Sequence, residues 1–201
     1  YTIVIDMYDN TGNHKQETYT VYYDKDTPHN TKMKCNSVED PEGISWIKGS
    51  IDYTYSIEDK DSGIKSYEIK VNGTTVVDSK NLGNYDFINK KVKEVTEEKF
   101  TLNPNKITAK DGKYTIVIDM YDNTGNHKQE TYTVYYDSNT PKLAKIDGKM
   151  AYITPSGNKW IKEPISYTYS IEDKDSGIKS YIIKINESTV VDSKDLNNFN
   201  N

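Results

Sequence analysis

Arginine is absent from this chain, and all 26 basic residues are lysine. Without arginine there is no bidentate donor for a base edge or a phosphate. No basic stripe is present either, so no nucleic-acid partner is expected. Cysteine occurs once, at Cys35, which rules out a disulfide framework and a C-x-x-C metal site. No apolar run approaches the length of a membrane span, so none is expected. No leader peptide and no initiator methionine are visible, and the chain starts inside a strand pattern. It reads as an internal piece of a longer protein. Helical periodicity is scarce. Tyrosine is abundant instead, at 18 of 201 residues, together with Thr, Ile and Val, the mixture that suits β-strands.

The dominant feature is an internal repeat. Tyr1 to Asp24, YTIVIDMYDNTGNHKQETYTVYYD, recurs letter for letter from Tyr114 to Asp137. A second block, YTYSIEDKDSGIKSY, runs from Tyr53 to Tyr67 and again from Tyr167 to Tyr181. The spacing of about 113 residues is too long for a solenoid repeat and fits a whole small domain. Three segments follow. Residues 1–24 are the closing hairpin of a preceding unit, 25–137 are one complete unit, and 138–201 are the front part of a following unit.

Within the hairpin, Tyr114, Ile116, Ile118 and Met120 alternate with Thr115, Val117, Asp119 and Tyr121. That period of two gives one core face and one more polar face. Asp122-Asn123-Thr124-Gly125-Asn126 supplies the turn. Asp24 to Pro28 and Asp137 to Pro141 read as short, stiff linkers. Inside the complete unit, Ile51, Tyr53, Tyr55 and Ile57 mark one strand, and Tyr67, Ile69 and Val71 mark the next. Asn72-Gly73 is a strong hairpin signal. Asp78 to Glu98 reads as an irregular connection with a short helix, anchored by Tyr85, Phe87, Ile88, Val92 and Val95. A strand is expected from Phe100. About seven strands in a unit of this size suit a two-sheet β-sandwich, with only residues 25–137 able to fold alone.

These motifs resemble bacterial immunoglobulin-like domains found in tandem in large surface proteins. The matching features are Trp46 before the second strand, the Asp59 to Ile64 D-x-x-S-G-I loop and Asp111-Gly112-Lys113-Tyr114. The D-N-x-G-N turn and the D-x-x-x-P junction complete the set. The resemblance implies tandem immunoglobulin-like sandwiches in an extracellular, rod-like array on a bacterial surface or in secretion. No enzymatic activity is expected, because a catalytic domain is seldom duplicated in near-identical copies, whereas a spacer gains reach with each one. The long Asp78 to Glu98 segment departs from the compact pattern of the family.

The candidate site is acidic. In such a sandwich the loop at Glu58, Asp59 and Asp61 approaches the turn at Asp122 and the linker residues Asp24 and Asp26. Asp137, Glu172, Asp173 and Asp175 repeat the arrangement one unit later. Converging carboxylates suit Ca²⁺, a hard cation that takes six to eight oxygens. The plainer reading is that Asp59 and Asp122 only cap their turns. Trp46 and Trp160 read as packed base residues in preference to a sugar platform. Tyr53, Tyr55, Tyr67, Tyr114, Tyr132 and Tyr136 read as core, and Tyr114 as a tyrosine corner. His14 and His127 read as exposed residues beside a turn, with no nucleophile assembled around them. The function expected is a structural or adhesive stalk module. Its partners would be neighbouring repeats of the same chain and a host or cell-wall glycan or protein. The alternative is a carbohydrate- or protein-binding module attached to an extracellular enzyme.

Overall fold

Alternating apolar and polar side chains produce a chain that is nearly all β. The computed structural model describes residues 1–40, 42–79, 94–108, 110–148, 150 and 152–193. The first hairpin pairs β1 (Thr2–Tyr8) with β2 (His14–Thr20), in register from Thr2 opposite Thr20 to Tyr8 opposite His14. Next come β3 (His29–Lys34), β4 (Val38–Glu39), β5 (Ser45–Ile47), β6 (Ile51–Glu58), β7 (Ile64–Val71) and β8 (Thr74–Ser79). They are followed by β9 (Val95–Leu102), a one-turn helix α1 (Pro104–Ile107), β10 (Gly112–Asp122) and β11 (His127–Tyr136). The remainder holds β12 (Lys142–Gly148), β13 (Tyr152–Ile153), β14 (Lys159–Trp160), β15 (Tyr167–Glu172), β16 (Tyr181–Ile185) and β17 (Ser188–Ser193). One sheet has the order β4-β5-β11-β10-β7-β8 and a second has β3-β6-β9.

Two compact units are distinguished, and strand halves contribute to both. The first comprises Tyr1–Lys34, Tyr53–Phe100 and Val117–Thr131. There β6 faces β7 across a sandwich-like interior. The Tyr55 and Tyr67 rings meet edge to face at 5.8 Å and their hydroxyls bond at 3.0 Å. Burial, reinforced by that bond, pushes the Tyr55 hydroxyl pKa up. Tyr53 stacks on Phe100 at 5.2 Å. The second unit comprises Cys35–Asp52, Thr101–Ile116 and Tyr132–Asn201. In it β5 runs parallel to β11, with Trp46 opposite Tyr135 and Ile47 opposite Tyr136. The Tyr114 hydroxyl donates to the Lys110 carbonyl at 3.0 Å, which is the corner geometry.

Two details differ from expectation. The strand expected from Phe100 starts five residues earlier, at Val95. Glu97 sits at φ +52° with its amide bonded to Ser56 Oγ, and the four exposed residues from Thr96 to Lys99 hide the alternation. β9 ends at Leu102, and the next residue, Asn103, caps an unexpected turn of helix, α1, by accepting from the Asn105 amide, with Pro104 in the first turn. Tyr85, Phe87, Ile88 and Val92 lie outside the described residues.

Among the described residues, every buried apolar side chain falls between Pro28 and Tyr136. Tyr132 is half-buried, and the other five tyrosines expected in the core are buried. The two copies of the identical hairpin differ sharply. Ile116, Ile118 and Met120 have no exposed surface, whereas Ile3, Ile5 and Met7 are 48, 43 and 41% exposed. The same mutation should therefore have two outcomes. Ile118→Ala should cost roughly 2–5 kcal/mol by opening a core cavity. Ile5→Ala should stay within about 0.5 kcal/mol, as surface changes do. Urea unfolding of the full chain in dilute solution measures both, and equal losses would mean that the first hairpin is covered.

Candidate functional site

The linker, the loop after β6 and the turn after β10 meet through three aspartates. Carboxylate oxygens of Asp24, Asp59 and Asp122 all lie within 4.8 Å of one another. Asp59 is 2% exposed and Asp122 is fully buried. The local chain explains each placement. Asp59 Oδ1 accepts from the Ser62 and Gly63 amides at 3.0 and 2.9 Å, closing a loop in which Gly63 takes φ +80°. Asp122 Oδ1 accepts from the Gly125 and Asn126 amides at 2.6 and 2.7 Å, and its Oδ2 accepts from Asn126 Nδ2 at 2.7 Å. Asp24 ties the linker in: Oδ1 accepts from the Asp26 amide at 3.0 Å and Oδ2 from the Ser62 amide at 3.1 Å. Asn123 then closes the arrangement by donating from Nδ2 to the Ser62 carbonyl at 2.8 Å.

The other expected residues behave differently. Glu58 turns to His29 at 3.0 Å and Lys60 at 3.6 Å. Asp26 and Asp61 are exposed. One unit later, Asp137 repeats the role of Asp24 closely. Its Oδ1 accepts from the Asn139 amide at 2.9 Å and its Oδ2 from the Ser176 amide at 3.1 Å. Asp173 accepts from the Asp175 and Gly177 amides at 3.2 and 3.1 Å. Asp175 accepts from Asn139 Nδ2 at 2.7 Å. Glu172 pairs with Lys142 at 3.0 Å, and that bond holds its pKa below the ordinary glutamate value. Sequence reasoning missed Ser62 and Ser176, whose amides receive the linker aspartates. The D-x-x-S-G spacing was the available signal, since it places an amide donor three residues after each loop aspartate.

The identical first hairpin separates turn chemistry from site chemistry. Asp9 accepts from the Thr11 and Asn13 amides at 2.9 and 2.8 Å and from Asn13 Nδ2 at 2.6 Å. These bonds, led by the Asn13 and Thr11 side chains, hold its carboxyl far below the usual range. The D-N-T-G-N turn thus closes without any neighbouring loop. What the complete unit adds is Asp59 and Asp24 beside it.

Trp46 is 8% exposed, packs against Tyr135 with ring centroids 5.1 Å apart and directs Nε1 to Asp40 Oδ2 at 3.4 Å. It forms part of the wall of an open cleft of about 1100 Å³, shared with Asp137 and Ser176. Trp160, its counterpart, is 61% exposed. His127 stacks on Tyr121 at 4.4 Å, with Nε2 3.2 Å from Asp119 Oδ1, and His14 repeats this on Tyr8 and Asp6. No protein-family model, curated protein or solved structure matches the chain.

Burial raises the Asp59 pKa, and the charges of Asp24 and Asp122 add to the shift against the opposing Gly63 and Ser62 amides. A folded-state value above the unfolded one means that the folded protein takes up the proton first as pH falls. Charged Asp59 therefore opposes folding at neutral pH, and the opposition fades through the acidic range. Asp59→Asn removes that titration. Its stability relative to wild type should be greatest at neutral pH and should shrink as pH approaches the usual carboxylate range. Urea unfolding of both proteins across that range is the check; a difference independent of pH would contradict the assignment.

Proposed function

We propose that the chain is a structural or adhesive repeat module, an array of immunoglobulin-like sandwiches serving as a stalk of a bacterial surface or secreted protein. The observation that carries this reading is the repeated linker clamp. Asp24 and Asp137 each bond the amide of the serine in the following D-x-x-S-G loop at 3.1 Å. A linker fixed to the next loop resists bending, and a spacer needs that property at every junction. The partners are neighbouring repeats in the same chain and a glycan or protein reached by the array. The reading is non-enzymatic: His14 and His127 are occupied by aromatic stacking and a neighbouring carboxylate. The binding-module alternative draws support only from the exposure of Trp160, and Trp46 at the equivalent position is packed.

The reading includes Ca²⁺ at the first junction, held by Asp24, Asp59 and Asp122. Three carboxylates within 4.8 Å support it, because their mutual repulsion changes sign around a divalent cation. Spin labels at Thr18→Cys and Lys65→Cys, in a Cys35→Ser background, report on this junction. The interlabel distance distribution should be narrow, and Asp24→Ala should broaden it. Ca²⁺ at a hundredfold excess over its dissociation constant should add about 2.7 kcal/mol to folding stability, and Asp59→Asn should abolish the gain. A distribution indifferent to Asp24→Ala would remove the clamp. Equal melting temperatures in Ca²⁺ and chelator would remove the ion.

A further inference from the structure

The two linkers differ at two positions only. Asp24-Lys25-Asp26-Thr27-Pro28 aligns with Asp137-Ser138-Asn139-Thr140-Pro141, so Asn139 stands where the first linker has Asp26. The leading aspartates make matching bonds. Each accepts from the amide two residues on and from the serine amide of the following loop. The junctions part at the side chain of the variable position. Asn139 donates from Nδ2 to Asp111 Oδ2 at 3.1 Å and to Asp175 Oδ2 at 2.7 Å. Asp111 directly precedes β10 and Asp175 lies in the loop after β15, so one amide group joins residues from either side of the linker.

Elementary chemistry fixes which side of the amide faces these partners. A carboxylate at neutral pH only accepts, whereas the asparagine NH₂ has two hydrogens, one for each carboxylate. Bonds to a charged acceptor are stronger than neutral ones, and the group that makes them here carries no charge of its own. Asp111 is tied down further, because its Oδ1 accepts from the Ser138 amide at 2.6 Å. Asp175 is held to its own loop through its backbone amide, which donates to Asp173 Oδ1 at 3.2 Å. A hydrogen-bonded path therefore runs from Asp111 through Asn139 to Asp175 and Asp173. In the first linker, the carboxylate of Asp26 has no hydrogen to donate. The loop residue it would have to hold, Asp61, is exposed, whereas Asp175 is half-buried.

We propose that Asn139 is a neutral latch that fastens the second junction by itself, so that this junction stays stiff whether or not divalent cations are present. The amide draws two carboxylates together that would otherwise repel each other. An aspartate at the same position supplies no donor and adds a further negative charge. The residue two places after the linker aspartate thus sets the kind of junction, and the two linkers of this chain are of different kinds. The inference rests on the reading of the chain as an array of repeats. It does not rest on Ca²⁺ at the first junction.

Spin labels at Lys113→Cys and Ser180→Cys, in a Cys35→Ser background of the full chain, flank the latch, and both positions are exposed. The interlabel distance distribution with Asn139 in place should be narrow, and the same in Ca²⁺ and in chelator. Asn139→Ala removes both donors and should raise the share of open junctions by about tenfold. Asn139→Asp should raise it more, because a third carboxylate then faces Asp111 and Asp175. Salt separates the two variants. High salt should narrow the Asn139→Asp distribution by screening the repulsion, and should leave Asn139→Ala broad. A residue that only fills space would make the two variants alike at every salt concentration, and that result would overturn the proposal. So would a distribution that is narrow in Ca²⁺ but broad in chelator, or one indifferent to both substitutions. An unchanged urea midpoint in both variants shows that the core within residues 25–137 remains folded. The labels at Thr18 and Lys65 report the Asp24 clamp and its ion separately, so failure of the latch is distinguishable from failure of that reading.

Discussion

A two-stranded ribbon has an apolar face and nothing of its own to set against it. Most of this fold depends on that constraint. Within residues 25–137, β10 and β11 solve it by lying between β5 and β7, with Ile116, Ile118, Met120 and Val134 fully buried. The first hairpin has the same residues and the same turn, and its face stays open. One amino-acid sequence therefore takes two energetic roles within one chain. Local propensity and turn chemistry form the hairpin in both places, and tertiary partners decide whether it contributes a core.

The aspartates show the same division between local and long-range causes. Asp9 and Asp122 each accept from the amide and the Nδ2 of the last asparagine of the turn, Asn13 and Asn126, so that chemistry is written within D-N-T-G-N. Asp24 and Asp137 act across the chain instead, on Ser62 and Ser176. Bringing Asp24 and Asp59 beside Asp122 concentrates negative charge in a buried setting, and the raised pKa of Asp59 is its electrostatic signature. A neutral site would hold the loops as well. The cluster is thus either a cost carried by the junction or a place for a cation, and the Ca²⁺ and chelator melts decide between them.

Much of this was legible in the sequence, and the exceptions have physical reasons. Period-two alternation located β6, β7 and β10, and Asn72-Gly73 located the β7–β8 hairpin, where both residues take positive φ. Asp-Gly before Tyr114 announced the hydroxyl contact with Lys110. The start of β9 was hidden because Glu97 leaves the extended region and four exposed residues interrupt the pattern. The parallel pairing of β5 with β11 joins segments nearly ninety residues apart, and no local signal carries such a contact. At the candidate site the aspartates were legible by type and spacing. Which of them converge depends on other partners nearby: His29 and Lys60 draw Glu58 aside, and Lys142 does the same to Glu172.

Hydrogen exchange on the full chain in dilute solution tests the central claim most directly, that partners and not sequence set the stability of the repeated hairpin. The two copies are identical from their first tyrosine to their last aspartate, so intrinsic exchange rates match and any difference reports structure alone. Amides from Ile116 to Met120 should exchange only through global unfolding, while those from Ile3 to Met7 should exchange through local opening, orders of magnitude faster. Equal protection of the two strands would contradict the account.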